Sequence, residues 1–175
     1  MDQLKMIRDD SPVVMPDTPP GYYMRAYQQG DEEDWCRCCI NGALGVNEIS
    51  VSQFERIMVE DECVDTSNIY FLCHESGGVV GTVTYQYGKE SGEGYIHMVA
   101  IAPDHIGKGL ALYMNLYVID KILKADNKTV VLTTDDCRLP AIKTYLKCGF
   151  TPCVSKGDIE MEERWNEVFE KLKER

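Results

Sequence analysis

The 175-residue chain predicts a mixed α/β domain, in which an antiparallel hairpin is followed by strand–helix–strand units. Ile69–Glu75 and Val79–Tyr87 are rich in β-branched and aromatic residues, and the glycines of Ser76-Gly77-Gly78 join them as a hairpin would. After the hairpin, the apolar runs Tyr95–Ile101 and Thr129–Thr134 are separated by a stretch with helical periodicity. The order of elements therefore combines antiparallel strands with strand–helix–strand units in a single sheet.

The beginning of the chain is expected to be an arm of residues 1–20, which prolines interrupt and in which only Leu4–Ile7 could extend as a strand. A single domain is expected over residues 21–157. Its first predicted element is a short strand at Tyr22–Tyr27. A helix is then predicted from Asp31 to the glycines Gly42 and Gly45, and a second helix from the capping box Ser52–Glu55 to about Glu60.

The later elements alternate helices with strands. A long helix up to Ala125, with Asn127 as its C-cap, is predicted from an apolar stripe at helical spacing formed by Leu112, Leu116, Ile119 and Leu123. The elements after the strand Thr129–Thr134 are predicted to be a helix from Pro140 to Gly149, a strand at Phe150–Val154 and a separate amphipathic helix within residues 158–175. The last helix collects large apolar side chains on one face, so we expect it to pack on the domain or on a partner subunit.

The composition argues against several classes of partner. The formal net charge is −11, whereas nucleic acids and anionic membranes are bound mainly through Lys and Arg. An acidic chain is compatible with a cationic substrate, although plain solubility is the favoured explanation of the charge. No apolar run approaches the ~20 residues that span a bilayer, and the acidic N-terminus does not resemble a signal peptide. We therefore expect no membrane association and a cytoplasmic location.

The eight cysteines do not show the spacing of a zinc site. Cys36 and Cys39 would share one face of a helix, but the three histidines lie far along the chain from them. Buried or free thiols in a reducing compartment explain these cysteines better, so no metal is expected.

A glycine loop lies between the strand Tyr95–Ile101 and the long helix. Gly107 and Gly109 let the backbone approach a ligand, and the first amides of the helix stand unpaired at the positive end of its dipole. Lys108 adds a positive charge. The loop predicts a pyrophosphate cradle, although a tight strand-to-helix turn would carry the same glycines. It lacks the ending of a Walker loop and the third glycine of a dinucleotide fingerprint.

Two motifs resemble those of the GNAT superfamily of N-acetyltransferases. Val99–Pro103 followed by Gly107-Lys108-Gly109 resembles motif A, and Ala141–Phe150 resembles motif B, whose usual form is Ala-Ile-x-x-Tyr-x-x-x-Gly-Phe. Both motifs occur in the family's order and at its separation. The resemblance extends from about Ile69 to Phe150.

Three positions depart from the family pattern. Asp104 stands where the family usually has Gln or Arg, Ile106 where it often has Arg, and Arg138 where it has Asn. An acid is unfavourable beside a pyrophosphate, so we expect Asp104 to point away or to cap the helix.

The resemblance implies the GNAT fold, a central mixed and mostly antiparallel sheet flanked by helices, in which the parallel strands Tyr95–Ile101 and Thr129–Thr134 splay apart. It implies acetyl-coenzyme A as cosubstrate, no metal, and direct attack by an amine without an acyl-enzyme. Cofactor contacts are expected from the motif residues, namely Val99, Ala100, Ile101, Ile106, Gly107, Lys108, Gly109, Leu110, Ala111, Arg138 and Tyr145.

Three side chains are candidates for the chemistry. Tyr145 matches the family tyrosine that donates a proton to the departing thiolate, although a core tyrosine would fit the same helix face. His97 could accept the proton of the amine, or it could be an ordinary interior histidine; Tyr95 is the second candidate base. Strand alternation would put both on one face together with Val99 and Ile101.

The sequence leaves the acceptor open. A small-molecule or peptide amine is expected, and the protein could be a monomer or a homodimer. Two alternatives remain, a catalytically degenerate acyl-coenzyme A sensor on the same fold and a partner-binding module that uses the C-terminal helix.

Overall fold

The computed structural model describes residues 2–40, 50–88 and 92–174. The strands are β1 Leu4–Asp9, β2 Tyr22–Ala26, β3 Val64–His74, β4 Gly78–Tyr87, β5 Glu93–Ile101, β6 Thr129–Thr134 and β7 Thr151–Pro152. The helices are α1 Glu32–Cys39, α2 Val51–Phe54, α3 Leu110–Lys124, α4 Leu139–Lys147 and α5 Ile159–Lys173. The predicted helix stop at Gly42 and Gly45 lies outside the described residues.

All seven strands belong to one sheet, in the order β2-β3-β4-β5-β6-β1-β7. Its neighbouring strands are antiparallel except for β5 and β6, which are parallel and are connected through α3. A crossover helix is what a parallel neighbour requires, because a tight turn can only reverse the chain. The predicted fold class, a mixed and mostly antiparallel sheet with one parallel pair, is confirmed.

The strand that Leu4–Ile7 could form within the expected arm is present, but it belongs to the central sheet. Leu4–Asp9 lies between β6 and β7, and the side chains of Leu4 and Met6 are fully buried. The Arg8 guanidinium is also buried, and its Nε donates to the Cys148 carbonyl at 3.0 Å. Leu4, Met6 and Arg8 alternate toward the core because successive residues of a strand point to opposite faces. The arm is therefore not free over these six residues.

The larger core lies between the sheet and the helices α3, α4 and α5. The helix α3 ends at Lys124 with Ala125 as its C-cap, next to the predicted end, and Asp126 then takes a left-handed conformation with φ 63°. Asn127 is not the C-cap residue itself, but its Nδ2 donates to the Ile122 carbonyl at 2.9 Å and to the Tyr85 hydroxyl at 2.8 Å. Its amide thus ties the end of α3 to the sheet.

A smaller core covers the opposite face of the sheet, beneath α1 and α2. Trp35 and Phe54 are fully buried there. The N-cap of α2 is Ser50, whose amide donates to the Gln53 side chain at 2.9 Å, so the cap precedes the predicted Ser52–Glu55 box by two residues. The helix continues as one π-helical turn over Glu55–Val59.

The C-terminal part of the chain closes the larger core. The strand after α4 is only two residues long, shorter than the predicted Phe150–Val154. The helix α5 buries Trp165 and Val168 in the larger core, and Phe169 and Leu172 pack against it. The apolar face of this helix therefore docks on its own domain.

Candidate active site

The parallel strands β5 and β6 separate after a short paired stretch. Their register runs from Glu93 opposite Thr129 to Tyr95 opposite Val131 and then stops. Beyond Tyr95 the two strands enclose a cleft of about 260 Å³. Its lining residues come from the residue before β1, from β5 and β6, and from α4 with the turn before it. They are Gln3, Tyr95, Ile96, His97, Met98, Val99, Thr133, Thr134, Asp135, Arg138 and Tyr145. Past Tyr95, β5 pairs only with β4 within the described strands.

A β-bulge in β5 lies inside this cleft. Between the pairs Thr84–His97 and Thr82–Ala100, β5 carries one residue more than β4, and Met98 has a φ of 52°. Such a bulge shifts the alternation of side chains by one position.

The bulge overturns the expectation that Tyr95, His97, Val99 and Ile101 share a face. Val99 and Ile101 pack with Ile96 against the larger core, whereas Met98 and Ala100 belong to the smaller one. Without the extra residue, Ile96 would share its face with Met98 and Ala100. The side chains of the candidate bases are therefore separated from those of Val99 and Ile101, and simple alternation could not reveal this.

His97 lines the cleft with an unsatisfied nitrogen. Its Nε2 is buried and has no hydrogen-bond partner among the described residues. Burial lowers the pKa of His97, and the Asp61 carboxylate opposes this effect only in part. The imidazole is consequently neutral at pH 7, and a neutral ring can accept a proton.

Tyr95 is engaged in a hydrogen-bond chain that crosses the cleft. Its hydroxyl lies 2.6 Å from Thr133 Oγ1, which donates to Gln3 Oε1 at 2.8 Å. The Gln3 amide in turn donates to Asp135 at 3.0 Å. Since Thr133 uses its proton on Gln3, Tyr95 must donate to Thr133. Tyr95 therefore holds the two strands together at the point where they part.

Tyr145 projects from α4 into the same cleft. Only 8% of the residue is exposed, and its ring contacts Phe150 edge-on at 6.1 Å. Burial raises the pKa of Tyr145 to about 12, against a smaller opposing effect of Arg138. The phenol therefore keeps its proton across the neutral range and can act as a hydrogen-bond donor.

The glycine loop follows β5 directly. Gly107 and Gly109 have φ values of 83° and 74°, which favour glycine, and a Cβ added at either would meet no protein atom within 4 Å. Gly109 is the N-cap of α3. Among the described residues, no backbone or side-chain acceptor takes a hydrogen bond from the amides between Gly107 and Ala111. The loop thus presents open space and free amides, as an anion cradle requires.

Residues 32–150 match the model of the acetyltransferase (GNAT) family. The chain belongs to this family. It is 25% identical over 142 residues to a mycothiol acetyltransferase of Pseudarthrobacter chlorophenolicus, a match that covers 76% of this chain and 43% of the relative.

Solved structures of GNAT proteins share the fold. A GCN5-related N-acetyltransferase from Sphaerobacter thermophilus superposes with a TM-score of 0.71 at 23% identity, over 86% of this chain and 48% of that one. The Escherichia coli ribosomal-protein-S18-alanine N-acetyltransferase gives a TM-score of 0.61 at 17% identity, over 76% of this chain and 79% of that one. The chain spans less than half the length of the mycothiol acetyltransferase and of the Sphaerobacter protein.

The GNAT residues expected at the cofactor site differ in how they can reach a ligand. Leu110 and Ala100 are buried in the two cores, so their side chains cannot contact a ligand, whereas 67% of Ile106 is exposed. Arg138 pairs with Asp135 at 2.9 Å and lines the cleft. Asp104 does not cap α3; its carboxylate lies 3.6 Å from His105.

The sequence predicted that β6 borders the site, but it did not reveal that Gln3, Thr133 and Asp135 contribute side chains to it. Gln3, Thr133 and Asp135 join Tyr95 through contacts that span up to 132 residues of chain. The only sequence signal was the alternation of Leu4, Met6 and Arg8, which marks a strand but not its neighbours. No helix among the described residues is long and apolar enough to cross a membrane. In the same part of the chain, no three His, Cys, Asp or Glu side chains come together as metal ligands.

Proposed function

We propose that the chain is an N-acetyltransferase that transfers the acetyl group of acetyl-coenzyme A to an amine while both substrates are bound. The observation that carries the proposal is the convergence of Tyr145, His97 and the open edge of β5 on one cleft, directly before the glycine loop. Family membership supports an acyltransferase, and the geometry suggests which residues would take part.

The residues present fit acetyl-coenzyme A at both ends. An extended pantetheine arm could pair with the open edge of β5 beyond Tyr95, as an added strand does. The pyrophosphate could lie on the free amides between Gly107 and Ala111, where the absence of a Cβ at both glycines leaves room. When bound, acetyl-coenzyme A supplies an activated acetyl group as a thioester.

His97 is the proposed general base. An ammonium has no lone pair, so the acceptor must lose a proton before or during its attack. Because the ring is neutral and its Nε2 has no partner among the described residues, His97 can take this proton directly or through one water. Tyr95 is the weaker candidate, since its hydroxyl proton is already committed to Thr133.

Tyr145 is the proposed partner of the departing thiolate. Its hydroxyl would donate a hydrogen bond to the sulfur as the carbon–sulfur bond breaks, and this bond strengthens as negative charge develops. Cys148, on the same chain segment, is a poor nucleophile because burial raises the pKa of its thiol to about 12. Direct attack by the amine therefore fits better than an acyl-enzyme.

The acceptor is proposed to be a small-molecule or peptide amine, and a cationic one is compatible with the charge of the chain. Within the cleft, the Asp135 carboxylate is already paired with Arg138, and the charge of Asp61 acts on His97. The formal net charge of −11 would also raise the local concentration of a cation.

The test compares wild type with Tyr145→Phe on a panel of amines, after binding of coenzyme A has been measured. Loss of the hydroxyl should reduce kcat by the ~10²–10⁴ typical of general acid–base catalysis, with little change in the Michaelis constant for acetyl-coenzyme A. Tyr113→Phe is the matched control, because Tyr113 is equally buried and its hydroxyl contacts Thr18. Equal turnover in Tyr145→Phe would refute the role of Tyr145, and binding without turnover on any amine would indicate a sensor.

A further inference from the structure

His105 lies where the glycine loop meets the sheet. Its Nδ1 is 2.9 Å from the Tyr22 hydroxyl of β2 and 3.4 Å from Nζ of Lys108. The side chain of His105 is only 15% exposed, and its ring lies 5.7 Å from that of His74 on β3. One nitrogen therefore joins the lysine of the loop to the edge of the sheet.

These contacts define the state of the ring. A lysine ammonium can only donate a hydrogen bond, so the contact with Lys108 requires the tautomer in which Nδ1 carries no proton, and the Tyr22 hydroxyl and Lys108 then share its single lone pair. The proton of the neutral ring is then on Nε2, which faces the Asp104 carboxylate at 3.6 Å. If Nδ1 gained a proton, Tyr22 could become the acceptor, but Lys108 could not. Protonation of His105 would therefore release Lys108.

Four ionisable groups act on His105. Burial, Lys108, His74 and Arg37 of α1 lower its pKa, and only Asp104 acts in the other direction. The free protein consequently keeps the ring neutral at pH 7 and Lys108 attached. A phosphate arriving at the loop would reverse the balance, since a nearby anion favours the charged imidazole.

We propose that His105 is a positioning residue of the phosphate loop, which holds Lys108 in the free protein and releases it by taking up a proton when phosphates bind. The inference rests on the proposed function, because coenzyme A provides the phosphates. Lys108 is free to swing because glycines with positive φ flank it on both sides.

The proposal predicts the direction in which the affinity for coenzyme A changes with pH. A pKa that is raised in the complex gives extra affinity below the pKa of the free protein, and this affinity is lost as pH rises through the pKa of the complex. The pKa of free His105 lies below 6.5, so the loss begins below that pH and continues up to the pKa of the complex. The coenzyme itself works in the opposite direction, since a phosphate monoester with a second pKa of about 6 gains charge over the same interval.

The experiment measures coenzyme A binding by calorimetry between about pH 5.5 and 8, where histidines titrate. Each pH uses two buffers of different ionisation enthalpy, so that proton uptake is obtained directly. His105→Asn is the test variant, because its side-chain oxygen can still accept from Tyr22 and Lys108 but does not titrate. His74→Asn is the matched control, which removes the neighbouring ring and leaves the Lys108 contact.

We expect wild type and His74→Asn to take up a proton and to lose affinity toward high pH relative to His105→Asn. A rise of one unit in the pKa of His105 would make this relative loss about tenfold. The same proton uptake and pH dependence in His105→Asn would overturn the role of His105 while leaving the proposed function intact. No binding of coenzyme A by wild type at any pH would overturn both.

Discussion

The two ends of the site are built in different ways. The glycine loop is a continuous stretch of chain, and its shape follows from two glycines with positive φ and the start of α3. The cleft between β5 and β6 gathers Gln3, Tyr95 and Thr133, which lie far apart in the sequence. Features that depend on neighbours in sequence can be inferred from a motif, whereas features that depend on sheet order cannot.

The largest effect is expected from a substitution in the glycine loop. Gly109→Glu should abolish coenzyme A binding, because it adds a side chain and a negative charge where the phosphates are expected. Like charges in contact cost several kcal/mol, which corresponds to a loss of affinity on the order of 10³-fold.

The matched control for this variant is Gly157→Glu. Gly157 has a φ of 86° and open space around its Cβ, so the variant carries the same backbone strain and the same added charge away from the loop. Calorimetry should give wild-type affinity for the control. Unchanged affinity in Gly109→Glu would mean that the phosphates bind elsewhere.

The next largest effect is expected from a substitution of His97 in the cleft. His97→Asn should lower kcat/KM by roughly 10², the lower end for general base catalysis, since water can replace the base in part. Because burial lowers the pKa of His97, the wild-type profile should rise with pH through a value below 6.5 and then level off.

The rise of kcat/KM on the acid side of the profile should disappear in His97→Asn. Any rise that is due to ionisation of the amine itself should remain in both proteins. Profiles of kcat/KM against pH for the two proteins decide the point. An acid limb that survives the substitution would assign the base to another group.

The smallest effect concerns the hydrogen-bond chain across the cleft. Thr133→Val keeps the shape of the side chain but removes the hydroxyl that joins Tyr95 to Gln3. We expect a loss of about 0.5–1.5 kcal/mol in the free energy of unfolding, with a several-fold rise in the Michaelis constant for the amine.

Thr129→Val serves as its control, because Thr129 lies on the same face of β6 at the other end of the strand. Denaturant unfolding and initial rates should show little change in this variant. Equal behaviour of both valine variants would mean that the bridge neither stabilises the cleft nor positions the acceptor.

The sequence allowed the hairpin, the crossover helix and the glycine loop to be predicted, because each depends on periodicity or on local backbone geometry. It did not allow the place of β1 to be predicted, since Leu4–Asp9 makes its pairs with Thr129–Thr134 at the far end of the chain. It also gave the wrong face for Val99 and Ile101, because the bulge at Met98 depends on pairing with β4. A local feature was also missed after α3. Asn127 was predicted as the C-cap, and the left-handed conformation of Asp126 was not predicted.

The position of β1 has a consequence for how the protein is made. Thr133 and Gln3 are 130 residues apart, so the chain start cannot join the sheet until β6 has left the ribosome. Closing so long a loop is entropically costly, and contacts of this kind form late and slow the folding of a domain. The domain should therefore form its hairpin and helices first, and the cleft between β5 and β6 would be complete only after its first strand has paired with β6.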